Sequence, residues 1–210
     1  MKILALETSA KAVSAAITEN GVVLASGYQD TGLTHSRTLM PIVKHLFQNT
    51  GIAPQELDAI AVAVGPGSFT GIRIGVSAAK GLAFSLDKPA AAVSTLAAMA
   101  RNAAFAGGLI LCAMDARRGQ IYNAAFSAEG GVLTRLTPDL AEELRPDARP
   151  KIAVGDGARL CADFLNQTGI PCKLAPPHLM MQNAMSVALE AEALALEGRL
   201  VDAQALLPVK

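Results

Sequence analysis

The chain has 210 residues, enough for one domain or two small ones with a sizeable buried core. Hydrophobic residues make up 51% and charged residues 17%, which excludes a disordered chain. The net charge is zero, with eight basic and six acidic side chains in residues 1–105 and ten and twelve in the remainder, so neither half is a nucleic-acid-binding module by charge.

The chain opens directly on the strand-like Lys2-Ile3-Leu4-Ala5-Leu6, with no basic-then-apolar leader. No run reaches the ~18 apolar residues of a membrane span, so a cytoplasmic protein is expected. Ile3 to Leu6, Ala12 to Thr18 and Val22 to Gly27 read as three short strands, with Asn20-Gly21 as a hairpin turn. A helix is expected from Ser36 to Asn49, apolar at Leu39, Ile42, Val43, Leu46 and Phe47 and stopped by Gly51. Ala59 to Val64 reads as a buried strand. It runs into Gly65-Pro66-Gly67-Ser68-Phe69-Thr70-Gly71 and then a helix of small residues to Leu86.

Pro89 to Val93 is a further strand and Thr95 to Ala104 a small helix, before Gly107-Gly108 marks a boundary. After it the pattern restarts: Leu109 to Met114 ends at Asp115, a polar turn follows at Ala116-Arg117-Arg118-Gly119, and Ile121 to Phe126 and Val132 to Leu136 are strands. This echo of the opening unit suggests two related halves, 1–106 and 107–210. Pro138 to Leu144 reads as a helical turn, Lys151 to Val154 as a strand, Ala158 to Gln167 as a helix and Pro171 to Pro177 as irregular. The final helix, Asn183 to Glu197, is a candidate to pack back on the first half.

The glycine loop is the first chemical candidate, because a strand turning into a helix exposes N–H groups suited to phosphate. Its spacing is neither G-x-G-x-x-G nor G-x-x-x-x-G-K-[ST], so a structural turn is the competing reading. Glu7-Thr8-Ser9 and Asp115 with Arg118 sit at equivalent turns of the two halves. Together with Gly65 and Gly67 they outline an ancestral phosphate cleft. On the helix that follows nearly every position is apolar or small and Arg73, Ser77 and Lys80 alone form a polar stripe, so it should be covered on a second side. Gly71, Gly75, Ala79 and Ala83 would let another helix approach, either the one at Ser36 to Asn49 or a partner's. His35, His45 and His178 form no metal-binding pair, and Cys112, Cys161 and Cys172 lack C-x-x-C spacing and are expected as reduced thiols.

Ile3-Leu-Ala-Leu-Glu7-Thr8-Ser9, His35-Ser36-Arg37, the run from Leu57 through Gly65 to Gly75, Ala79-Lys80-Gly81-Leu82-Ala83 and Asp115-Ala-Arg117-Arg118-Gly119-Gln120-Ile-Tyr122 closely resemble the bacterial TsaB (YeaZ) family. The likeness spans most of residues 1–125. The family usually continues with a Tyr-Leu-Arg-like segment after the final helix, where this sequence has Leu207-Pro208-Val209-Lys210.

The resemblance implies an α/β fold of the two-lobed actin/Hsp70/sugar-kinase-like (ASKHA) type, with mixed sheets flanked by helices. It also implies a part in installing threonylcarbamoyl on adenosine 37 of tRNAs that read codons starting with A, as a non-catalytic partner of TsaD. TsaE would join with TsaD, tRNA would be met only through the complex, and a homodimer would form when the protein is alone. No cofactor is expected on this chain; ATP or ADP and a metal are expected on TsaD and TsaE. Where TsaD has a metal-binding H-x-x-x-H, this chain has Val93-Ser-Thr-Leu-Ala-Ala-Met99, without histidine.

The resemblance places the partner surface on the two first-lobe helices, with Leu39, Ile42, Val43, Leu46, Arg73, Ile74, Gly75, Ser77, Ala78, Ala79 and Leu82 as its residues. A bulky charge at Gly75 or Ala79 is then expected to weaken association and spare the monomer. The competing function is a metal- and ATP-dependent transferase, or a peptidase-like enzyme, acting alone.

Overall fold

Apolar residues at nearly every position of the opening strands leave no face for water, which demands cover on both sides of a sheet. The computed structural model describes residues 1–117, 120–130, 132–136 and 151–209 and supplies that cover. One compact unit is Met1–Ala98 with Gln182–Lys210, and the other is Met99–Met181.

In the first unit, β1 (Lys2–Glu7), β2 (Val13–Glu19) and β3 (Val22–Gln29) form an antiparallel meander. The Asn20-Gly21 turn has positive φ at both residues, 49° and 77°, as a tight hairpin requires. After α1 (His35–Thr50), β4 (Ala59–Gly65) pairs parallel to β1; after α2 (Phe69–Leu86), β5 (Ala90–Ser94) pairs parallel to β4. The sheet order is β3-β2-β1-β4-β5.

One face of this sheet buries Leu4, Leu6, Ile17, Ile60 and Val62 against α1 and α2. The other face is nearly all alanine, at Ala5, Ala16, Ala61, Ala63 and Ala91, and receives the final helix α6 (Ala184–Leu196) through Ala184, Val187, Ala188 and Ala191. Small residues on both surfaces let helix and sheet approach closely, so α6 belongs with the opening sheet. The chain then adds Val201 beside Ala90, buries Ala203 and Leu206 against α2, and ends with the Val209 N–H donating to the Val64 carbonyl at 2.8 Å.

The second unit holds α3's last turn (Thr95–Arg101), then β6 (Gly108–Arg117), β7 (Gln120–Glu129), β8 (Val132–Arg135), β9 (Lys151–Val154), α4 (Ala158–Gln167), β10 (Lys173–Leu174) and α5 (Pro177–Met180). Its order, β8-β7-β6-β9-β10, repeats that of the first sheet strand for strand. The described strands and helices expected from periodicity form, most within a residue or two of their anticipated limits; the helix after β5 stops three residues short of Ala104, and β6 and β7 each run three residues beyond Met114 and Phe126. The segment anticipated as irregular, Pro171 to Pro177, instead holds β10 and the start of α5. Pro138 to Leu144 lies outside the described residues. Among the described residues no helix is long and apolar enough to cross a membrane.

Leu206 is fully buried at the end of the C-terminal strap, whereas the adjacent Leu207 is exposed. Leu206→Ala is expected to cost about 2–5 kcal/mol in urea denaturation and Leu207→Ala less than about 0.5 kcal/mol. Equal effects of the two substitutions would show that the strap is not part of the cooperative core.

Candidate functional site

The β1–β2 turn and the glycine loop come together in the first unit. Gly65 and Gly67 adopt positive φ, 130° and 152°, which only glycine tolerates there. A Cβ on Gly67 would run into the Ser9 carbonyl, one on Gly71 into the Thr8 carbonyl, and one on Gly75 into the Thr8 hydroxyl. A Cβ on Gly65 would stand 2.7 Å from the Val209 carbonyl oxygen. Hydrogen bonds lock the same contacts: the Ser68 N–H donates to Ser9 O at 2.6 Å, and Thr8 Oγ1 donates to Gly71 O at 2.8 Å. Ser68 Oγ caps α2 by accepting the Gly71 N–H.

These contacts give Gly65 and Gly67 a packing role, which favours the structural-turn reading of the loop. The space that the glycines open is filled by the chain's own backbone, from the Thr8-Ser9 turn on one side and Val209 on the other. Asp115 is exposed on β6 of the second unit, where its N–H donates to Asp156 Oδ1 at 3.4 Å, and Arg118 lies outside the described residues.

Glu7 ends β1 with only 1% of its surface exposed. Its Oε1 accepts the Ser9 N–H, while Oε2 has no hydrogen-bond partner among the described residues. Burial pushes the carboxyl up from its ordinary 4.5 to about 6; the Ser9 hydroxyl beside it and the Ser9 and Thr8 N–H groups pull it back only in part. Thr95 Oγ1, just beyond β5, is likewise buried without a partner among the described residues. An acid partly protonated near neutrality is thus set behind a closed loop.

On the helices, the expected partner surface divides in two. Leu39, Ile42, Val43 and Leu46 are buried in the core under α1, and Gly75 and Ala79 are buried under α2, where Gly75 meets Thr8 and Val62. All six face the chain's own sheet, with Leu39 and Ile42 also reaching the floors of the grooves beside α1; the small-residue stripe seats α2 on β1 and β4. Arg73 and Ser77 are exposed, and Ile74, Ala78 and Leu82 partly so. Between α1 and α2 runs a groove of about 560 Å³, lined by Ser36, Leu39, Met40, Phe69, Thr70, Arg73, Ile74, Ser77 and Ala78.

Sequence reasoning missed Met40 and Phe69, which are 43% and 71% exposed. Met40 follows Leu39 onto the outer flank of α1. Phe69 was read as part of the turn, yet it opens α2 one turn before Arg73, whose guanidinium carbon lies 3.2 Å from the centre of the Phe69 ring. The Phe69–Arg73 spacing of i, i+4 was the available signal.

The family model described as TsaD, tRNA N6-adenosine threonylcarbamoyltransferase, matches residues 29–145. A Bacillus subtilis protein named tRNA threonylcarbamoyladenosine biosynthesis protein TsaB is 41% identical over 167 residues, which cover 76% of this chain and 73% of the relative. The solved structure of YeaZ from Pseudomonas aeruginosa is 30% identical with a TM-score of 0.83, covering 100% of this chain and 99% of that one. Component A of the (R)-2-hydroxyglutaryl-CoA dehydratase from Acidaminococcus fermentans, 12% identical with a TM-score of 0.51, covers 93% of this chain and 99% of that one; the likeness is of fold alone. The fold is thus the actin-like ASKHA type, with two mixed five-stranded sheets flanked by helices.

Two outcomes follow from the geometry. Because the folded-state pKa of Glu7 is raised, its contribution to stability is fully present below pH 4.5 and is lost as pH rises through about 6. The shift corresponds to about 2 kcal/mol. Urea unfolding of the wild type and Glu7→Gln across this window is expected to show the wild type losing that amount relative to the variant; a constant difference would count against a buried, uncompensated carboxyl. Gly75→Asp and Ala79→Asp are expected to lower stability by more than about 3 kcal/mol, read by thermal unfolding of the isolated chain, since each buries an unpaired charge under α2.

Proposed function

Because the chain belongs to the TsaB family of tRNA threonylcarbamoyladenosine biosynthesis proteins, we propose that it serves that tRNA modification as a non-catalytic docking subunit, which holds TsaD through the α1–α2 groove. The observation that carries this reading is the exposed Phe69 with Arg73 stacked on it at the groove's edge. An aromatic ring backed by a guanidinium offers large apolar area at small entropic cost, and such residues dominate the energetics of interfaces. The ring is also tethered, since Arg73 Nη1 donates to the Phe69 carbonyl at 3.2 Å.

The matched residues 29–145 include α1 and α2, so a TsaD partner brings an equivalent helix pair. Two similar surfaces pack well about a pseudo-two-fold axis, and the same surface serves a homodimer when TsaD is absent. TsaE then joins with TsaD in the cytoplasm, and tRNA is met by the assembled complex. ATP or ADP and a metal are bound by TsaD and TsaE, and none by this chain alone. The filled glycine loop supports the non-catalytic part of the reading, because the Thr8-Ser9 turn occupies the place where a phosphate would approach.

Phe69→Asp is expected to weaken binding to the TsaD of the same organism by about thirtyfold or more in titration calorimetry, with thermal unfolding of the isolated chain unchanged. Wild-type affinity in both Phe69→Asp and Arg73→Glu would overturn the docking assignment. Turnover of MgATP by the isolated chain would favour the enzyme reading.

A further inference from the structure

A second groove lies on the opposite flank of α1, where the first sheet ends at β3. This strand, Val22-Val-Leu-Ala-Ser-Gly-Tyr-Gln29, carries no charged residue and pairs only with β2. Among the described residues its outer edge has no hydrogen-bonded neighbour. The one register shift, between Ile17 and Thr18 of β2, falls near the start of β3 and leaves Ala25 to Gln29 in regular pairing. Edge strands are ordinarily blunted by lysine, proline or inward charge, and this one carries none of them.

Gly27 sets how closely the helix stands: a Cβ there would be 2.6 Å from Ile42 Cγ2, so α1 rests directly on the strand backbone. The groove beside it measures about 450 Å³; Gly27 and Ile42 lie at its base, and Tyr28, Leu33, Arg37 and His45 line it above. An open edge strand facing a helix is the arrangement at which an extended peptide adds as another strand. Main-chain hydrogen bonds then give affinity and the groove takes alternate side chains.

Charge selects the peptide. Helix α1 contains Arg37, Lys44 and two histidines and not one acidic residue. The Arg37 guanidinium is exposed and has no partner among the described residues. The acid nearest to Arg37 in sequence, Asp30, is engaged by Lys11 at 3.1 Å. A second copy of this chain would present an uncharged β3 whose flanking acid, Asp30, is already engaged by Lys11, so complementarity favours a different occupant. We propose that β3 and α1 form a strand-addition groove for an extended peptide segment of alternating apolar and acidic side chains, on a partner other than the one held by the α1–α2 groove. The inference stands independently of that docking.

The test uses the full chain and short fluorescein-labelled peptides, read by anisotropy at low ionic strength. A peptide of alternating valine and glutamate is expected to bind saturably. Its valine–lysine counterpart is expected to bind about fivefold more weakly or worse, and Arg37→Glu to remove that preference, the size set by exposed ion pairs. The valine–glutamate peptide methylated on alternate backbone nitrogens keeps its side chains and loses its donors, and is expected not to bind. The proposal is overturned by absence of saturable binding, by equal affinity for the three peptides, or by a concentration-dependent dimer in sedimentation that the valine–glutamate peptide does not dissociate.

Discussion

The structure of the first unit depends on how the Thr8-Ser9 turn is seated in the glycine loop. Three carbonyl or hydroxyl groups of that turn occupy the positions where Gly67, Gly71 and Gly75 would carry a Cβ, and two hydrogen bonds hold them there. Because close packing leaves no slack, this contact fixes how near α2 lies to β1 and β4. It also fixes which face of α2 turns outward, since the face bearing Gly71, Gly75 and Ala79 is already used. The C-terminal strap closes the other side, with Lys80 Nζ donating to the Gln204 carbonyl at 2.8 Å and Val209 reaching the end of β4.

Function then moves to the surfaces that remain. A strand–glycine–helix junction in an ASKHA fold is suited by its geometry to an anion, but here the Thr8-Ser9 turn and Val209 pack against its glycines and Ser9 accepts the Ser68 N–H. Two grooves open beside α1, one shared with α2 and the other with β3. The two differ in chemistry. The first offers Phe69, Met40 and Ile74, suited to a folded partner with its own helices; the second offers unpaired strand backbone and a positive helix, suited to an extended segment. The buried Glu7 carboxyl ties the closed loop to pH, because the protonated acid suits that apolar place better than the anion.

Much of the fold was legible in the sequence because burial period and turn chemistry agree locally. The Asn20-Gly21 turn, the Gly51 stop after α1 and the two-sided apolar runs of β1 and β4 each name their element without help from distant residues. The doubling was legible as an echo of the opening three-strand unit, whereas the sheet order itself came from the structure. The segment around Lys173 was not, because a two-residue strand and a four-residue helix are too short to show a period.

The candidate site was legible as a list of residues, and its arrangement was not. By itself the sequence determined that α2 must be covered on more than one side, that its stripe of small residues must meet something closely, and that Glu7-Thr8-Ser9 and the glycine loop matter. It could not say what meets the stripe, because a glycine accommodates a partner helix, a phosphate or its own chain equally well. Only the tertiary structure decided that Thr8 fills it, which put Gly75 and Ala79 inside and left Phe69 and Arg73 outside. The physical reason is that helical periodicity ranks faces by polarity, whereas the choice between two apolar faces is made by which neighbour fits each at van der Waals distance.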